Sequence, residues 1–223
     1  MRKLSVIIII SIMFLFGCAS NTKMISDFPK VRENIESIII VEPHIYLEKK
    51  LATGSVLNNE GIIEEKAKLW DLYFEQLSRE YKCDKFELNK ETDLGNEISA
   101  LFIRLNASPD VTQVELNQKL KEAIAQSESK YYLFSYQAGF TSTGGNVGKE
   151  IAKSIFVAVI TFGMFYTVPL VSTSDLYMAI YDKGNDQIIY YDKNHSDINP
   201  TKKNLVEKQV EKVLKNILKD RDV

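Results

Sequence analysis

Residues Ser37-Ile38-Ile39-Ile40-Val41 form an unbroken, largely β-branched run that stops at Pro43. A strand with one wet face alternates apolar and polar residues. A strand apolar at nearly every position has to be covered on both faces, as in a sheet sandwiched between helices. The chain must therefore supply amphipathic helices. The strongest is announced by Ile63, Ala67, Trp70, Phe74, Leu77 and Tyr81, which step by three and four. Glu64, Lys66, Lys68, Glu75 and Arg79 lie off that stripe, and the pair Glu64-Glu65 reads as solvated helix exterior.

Other elements follow along the chain. Residues 44–61, with Gly54 and Gly61, read as a loop, and Phe86-Glu87-Leu88 as a short strand. Ile98, Leu101, Phe102 and Leu105 keep helical spacing up to Pro109. Asp110 with Gln113 resembles a capping box for a next helix carrying Val114, Leu120 and Ile124. Tyr131–Phe140 is aromatic-rich and predicts a strand. Residues 173–193 read as a hairpin around Asp182-Lys183-Gly184-Asn185-Asp186. Asn199 as cap and Pro200 at the first helical position open a last helix, with Val206, Val210, Val213 and Ile217 inward. The expectation is a single α/β domain over 36–223, with a mixed sheet of about five strands and packed helices. An apolar insert at 151–171 precedes the C-terminal hairpin.

The start of the chain is of another kind. Arg2 and Lys3 precede an almost wholly apolar stretch, Leu4 to Phe16, which is too short for a secure membrane span and reads as an export signal. It ends Leu15-Phe16-Gly17-Cys18, which resembles the lipobox of bacterial lipoproteins, although Phe16 departs from the usual small or β-branched choice. The resemblance implies a signal peptide over 1–17, cleavage after Gly17 and a diacylglycerol thioether on Cys18. Residues 18–35 then read as lipidated cysteine and tether. Cleavage leaves 26 of the 28 basic side chains against 30 acidic ones, a net charge of −4. That balance gives no broad basic surface for nucleic acid. With Cys18 acylated, Cys83 has no partner in its own chain for a disulfide, and it reads as a small buried residue.

No residue pattern announces catalysis or a cofactor. Gly144-Gly145-Asn146-Val147-Gly148-Lys149 follows a strand but lacks phosphate-loop spacing, and Glu150 stands where a metal-binding hydroxyl belongs. No nucleotide is expected. Asp192, His195 and Asp197 cluster in sequence but read as a solvated connection, with no metal site. Tyr131, Tyr132, Phe134 and Tyr136 read as sheet core. Lys208, Lys212, Lys215 and Lys219 read as a solvated helix face. The uncharged run Ser154–Val171 fits three placements: self-packed insert, contact with membrane or another protein, or span. For the second, Phe156, Ile160, Phe162 and Phe165 are the candidate contact residues.

The element order resembles the small α/β domain of several bacterial lipoproteins, among them the curli-secretion lipoproteins and the penicillin-binding-protein activators. The resemblance is one of pattern and carries no functional residue across. It implies a lipid-anchored, non-enzymatic envelope protein that binds a protein partner or its own copies. Two rival classes remain open: an envelope hydrolase, and an accessory to a pore or transport system using 151–171. Ala19 after Cys18 lacks the Asp of inner-membrane retention, so in a two-membrane host the resemblance implies the outer membrane, facing the periplasm.

Overall fold

The structure is a computed structural model and describes residues 22–51, 54–57, 59–88, 94–142 and 172–218. Its elements are β1 (Lys23–Met24), α1 (Phe28–Glu33), β2 (Ser37–Val41), β3 (His44–Leu51), β4 (Gly54–Leu57), α2 (Asn59–Leu77) and β5 (Lys82–Phe86). These are followed by α3 (Gly95–Ala107), a 3-10 turn (Val111–Gln113), α4 (Gln118–Ile124), β6 (Tyr131–Ser142), β7 (Ser172–Asp182), β8 (Gln187–Ser196) and α5 (Lys203–Leu214). The described strands form one mixed sheet in the order β1-β8-β7-β6-β2-β5. β3 continues alongside β6 beyond the end of β2, and β4 pairs with β3.

The β-branched run behaves as its composition demands. Ile38 and Ile40 point into one core with α2 and α5, while Val41 and Ile39 point into a second core with α3 and α4. The same division holds along β6, where Leu133 faces the first core and Tyr132 and Phe134 the second. The single α/β domain with a mixed sheet is thus as expected, with more strands than the sequence disclosed.

Several local expectations are corrected. Residues 44–61 are not a loop: they hold β3, β4 and the start of α2. Residues 22–35, expected to belong to a tether, are part of the fold. Phe28 is only 1% exposed and its ring lies 4.9 Å from that of Tyr190. Asp110 caps the 3-10 turn through the Thr112 amide, and Asn117 caps α4 through the Leu120 amide. Asn199 accepts from the Thr201 amide and hydroxyl in a turn, and α5 starts three residues after Pro200.

The inward face of α2 is also rotated from the expected stripe. Leu69, Leu72, Tyr73, Gln76 and Leu77 are buried, whereas Ile63 is 79% exposed and Trp70 and Phe74 are only partly covered. Both stripes have helical spacing. The one that wins packs over β2, β3 and β5 and against α5, with Trp70 and Phe74 on its flank. Glu65 turns inward with the winning stripe, and burial pushes its carboxyl above the usual range.

Residues 143–171 lie outside the described residues, and with them the glycine-rich run 144–149, the apolar segment 151–171, and Phe156, Ile160, Phe162 and Phe165. Cys18 and the signal segment 1–17 lie outside them as well.

Candidate functional site

Pro43 has no amide proton to give a ladder, so the strand pairing must break there. Ile40 pairs with Leu133 and His44 with Tyr136, so the β2–β3 side carries one residue more than β6 across the break. The extra residue bends the chain outward. β5 ends beside this point, and the Glu42 amide makes a last bond to the Phe86 carbonyl at 2.9 Å. A gap opens at the sheet edge between the end of β5, the first turns of α2 and the start of α3.

That gap is a cleft of ≈ 690 Å³. Ile45, Ile62, Ile63, Ala67, Trp70, Leu94 and Ile98 supply apolar walls. Its two charged lining residues neutralise each other, Lys66 Nζ donating to Glu42 Oε1 at 2.7 Å. Trp70 is fixed by its Nε1–H, which donates to the Ile40 carbonyl at 2.9 Å. The Lys85 ammonium lies 5.2 Å from the Trp70 ring centroid and pairs with Asp71. A Cβ on Gly95 would collide with the imidazole of His44, so any larger residue there must push that ring aside.

From His44 an aromatic row crosses the sheet. His44, Tyr136, Tyr177 and Lys193 are in register on β3, β6, β7 and β8. The His44 and Tyr136 rings stack at 5.5 Å, as do those of Tyr136 and Tyr177, and Lys193 Nζ sits 4.8 Å from the Tyr177 centroid. Tyr131, Tyr132 and Phe134 are buried core as expected, but Tyr136 is only half-buried. Burial, then the neighbouring Tyr177, raises its hydroxyl pKa.

The remaining sequence candidates are dispersed. Asp192 is buried, accepts from the Tyr190 hydroxyl at 3.2 Å and the Lys193 amide at 2.7 Å, and has its pKa raised by burial. Exposed His195 instead meets Asp175 Oδ1 at 3.1 Å and Asp197 Oδ1 at 3.5 Å. Among the described residues no group of three or more His, Cys, Asp or Glu is arranged to hold a metal ion. Cys83 is half-buried on β5, and burial followed by the Asp84 charge pushes its thiol up to about 11. Lys208 and Lys212 are exposed on α5 and Lys215 just past its end, while Lys219 lies outside the described residues. No helix among the described residues is long and apolar enough to cross a membrane.

No family model matches the chain, and no curated protein matches it. Solved structures with a similar course include a PelC dodecamer from Paraburkholderia phytofirmans, 6% identical over 82% of this chain and 88% of that one, TM-score 0.39. The hypothetical protein CT253 from Chlamydia trachomatis is 9% identical over 72% and 70%, TM-score 0.33. The LpoB C-terminal domain from Salmonella enterica is 12% identical over 83% and 90%, TM-score 0.27. Likenesses this low carry no functional argument, so function rests on the sequence and the cleft.

Proposed function

We propose that this chain is a lipid-anchored component of a bacterial cell envelope and that it binds a protein partner in the cleft without performing chemistry. The observation that carries the binding half is the chemistry of the cleft. Its walls are apolar, and its carboxylate and ammonium are committed to each other at 2.7 Å. A glycoside hydrolase would need two carboxylates free to flank the bond to be cut. An apolar recess with a neutral ion pair at its rim suits side chains of another protein. The anchoring half rests on Leu15-Phe16-Gly17-Cys18, and Ala19 favours the outer membrane of a two-membrane host. Phe156, Ile160, Phe162 and Phe165 remain our proposed additional contacts to membrane or partner.

Site-specific photocrosslinking in intact cells tests the binding half. A probe at Ile63, on the cleft rim, should give a discrete adduct, and Ala67→Glu in the same chain should abolish it. A probe at Glu75, exposed farther along α2, should give none. Equal adducts from both positions would refute the cleft as the binding site.

A further inference from the structure

The cleft and the start of the folded chain lie on opposite edges of the sheet. β1 adds to the β8 edge, Lys23 pairing with Tyr191 and Met24 with Tyr190. The attachment is firm. Lys23 Nζ donates to three carbonyls at the end of α3, Leu105 at 2.7 Å, Asn106 at 3.0 Å and Ser108 at 2.7 Å. A cation there satisfies carbonyls that a helix end leaves open and meets the negative end of its dipole. Asn216 donates to the Thr22 hydroxyl at 3.4 Å, and Phe28 is locked in the core. The chain is therefore held from Thr22 onward.

Only Ala19, Ser20 and Asn21 separate Thr22 from Cys18. Four Cα steps span at most roughly 14 Å. From β1 the order runs through β8, β7 and β6 to β2, four strand spacings or roughly 19 Å, before the cleft is reached. The cleft takes Trp70 and Ala67 from the helix on one face of the sheet and Leu94 and Ile98 from the other, so it opens at that far edge. A domain of this size has a radius of gyration of about 16 Å. A tether shorter than those four strand spacings brings the β1–β8 edge to the bilayer before the edge that carries the cleft.

We infer that the β1–β8 edge of the sheet is the surface that faces the anchoring bilayer, and that the cleft faces away from it. This rests on the acylation of Cys18 proposed above. The bilayer is the occupant of the β1–β8 edge, where Met24 is 40% exposed beside the start of the tether. The cleft then receives what approaches from the opposite side, which excludes the lipid of the anchoring membrane as its ligand.

Lipid-borne quenching of single-site probes provides the test. The lipidated protein, in a Cys83→Ser background, is reconstituted in phosphatidylethanolamine–phosphatidylglycerol vesicles carrying a headgroup nitroxide. One fluorophore is placed through Met24→Cys, another through Ile63→Cys, both exposed positions. The Met24 probe should lose most of its fluorescence and the Ile63 probe should keep it. Ten Gly/Ser residues inserted after Ser20 should release the Met24 probe from quenching. Equal quenching at the two sites, or quenching unaffected by the insertion, would overturn the inference. The mass of the same preparation reports acylation separately. If Cys18 is unmodified, the anchoring proposal fails on its own, and coupling Cys18 to a maleimide lipid still decides the orientation.

Discussion

Phe28→Ala is the perturbation that separates a folded start from a spacer. The side chain is 1% exposed, so all of its apolar surface is removed from water on folding, and its ring packs 4.9 Å from that of Tyr190. Deleting a buried phenyl ring costs the transfer energy of the lost atoms and leaves a cavity, about 3–5 kcal/mol together. Part of that is the ring–ring contact, on the order of 0.5–1.5 kcal/mol. Tyr190 is itself held at its hydroxyl, which has Asp192 and the Val213 carbonyl as acceptors within reach, both at 3.2 Å, so it cannot swing to fill the hole. Most of the loss should therefore survive relaxation. For a domain of this length the melting temperature should fall by roughly 10 °C. Urea unfolding followed by circular dichroism measures the loss, with Pro29→Ala, at an exposed position, as the control. A loss below about 1 kcal/mol would show that residues 22–33 are a spacer after all, and the short-tether geometry would fall with it.

Other outcomes follow from the same contacts. Gly95→Ala should destabilise by about 1–3 kcal/mol, because the new methyl meets the His44 ring, and ring-proton shifts of His44 and Tyr136 should move with it. Trp70→Phe keeps an aromatic ring but loses the bond to the Ile40 carbonyl, and should cost about 1 kcal/mol in the same unfolding assay. Asp192 has its folded pKa raised by burial, so its contribution is fully present below the unfolded value near 3.8 and is lost as pH climbs through the folded one. Asp192→Asn removes that loss. The stability difference, variant minus parent, should rise from acid toward neutral pH, and a flat difference would contradict the sign.

The two-faced burial of β2 was legible because Ile38 to Val41 leave no polar residue for water to meet. The tail of the hairpin and the inward stripe of α5 were legible for the same reason, since Val206, Val210, Val213 and Ile217 offer one apolar face and no second one. α2 offered two. Choosing between Ile63–Ala67–Trp70 and Leu69–Leu72–Tyr73 needs knowledge of where the helix crosses the sheet, which periodicity does not contain. β3 reads as a loop because His44, Glu48, Lys49 and Lys50 dilute it, and its pairing with β6 supplies what its own composition lacks. The cleft was hidden for a related reason. It is made by the break at Pro43 and by residues from α2 and α3 that only the tertiary fold brings together. Its one trace in the sequence is Pro43, two residues past a buried strand, and the glycine at position 95 was silent until His44 stood beside it.

The most direct test of the anchored reading is the intact mass of the mature chain recovered from membranes, compared with that of Cys18→Ala. The predicted result is a chain that begins at Cys18 and carries a diacylglyceryl group, with an added amide-linked acyl chain in hosts that make one, a two-signal attachment strong enough to hold the domain at the bilayer. In Cys18→Ala the signal segment should stay on and the acyl mass should vanish. A parent chain without lipid mass, or an alanine variant cut at the same bond, would contradict the account.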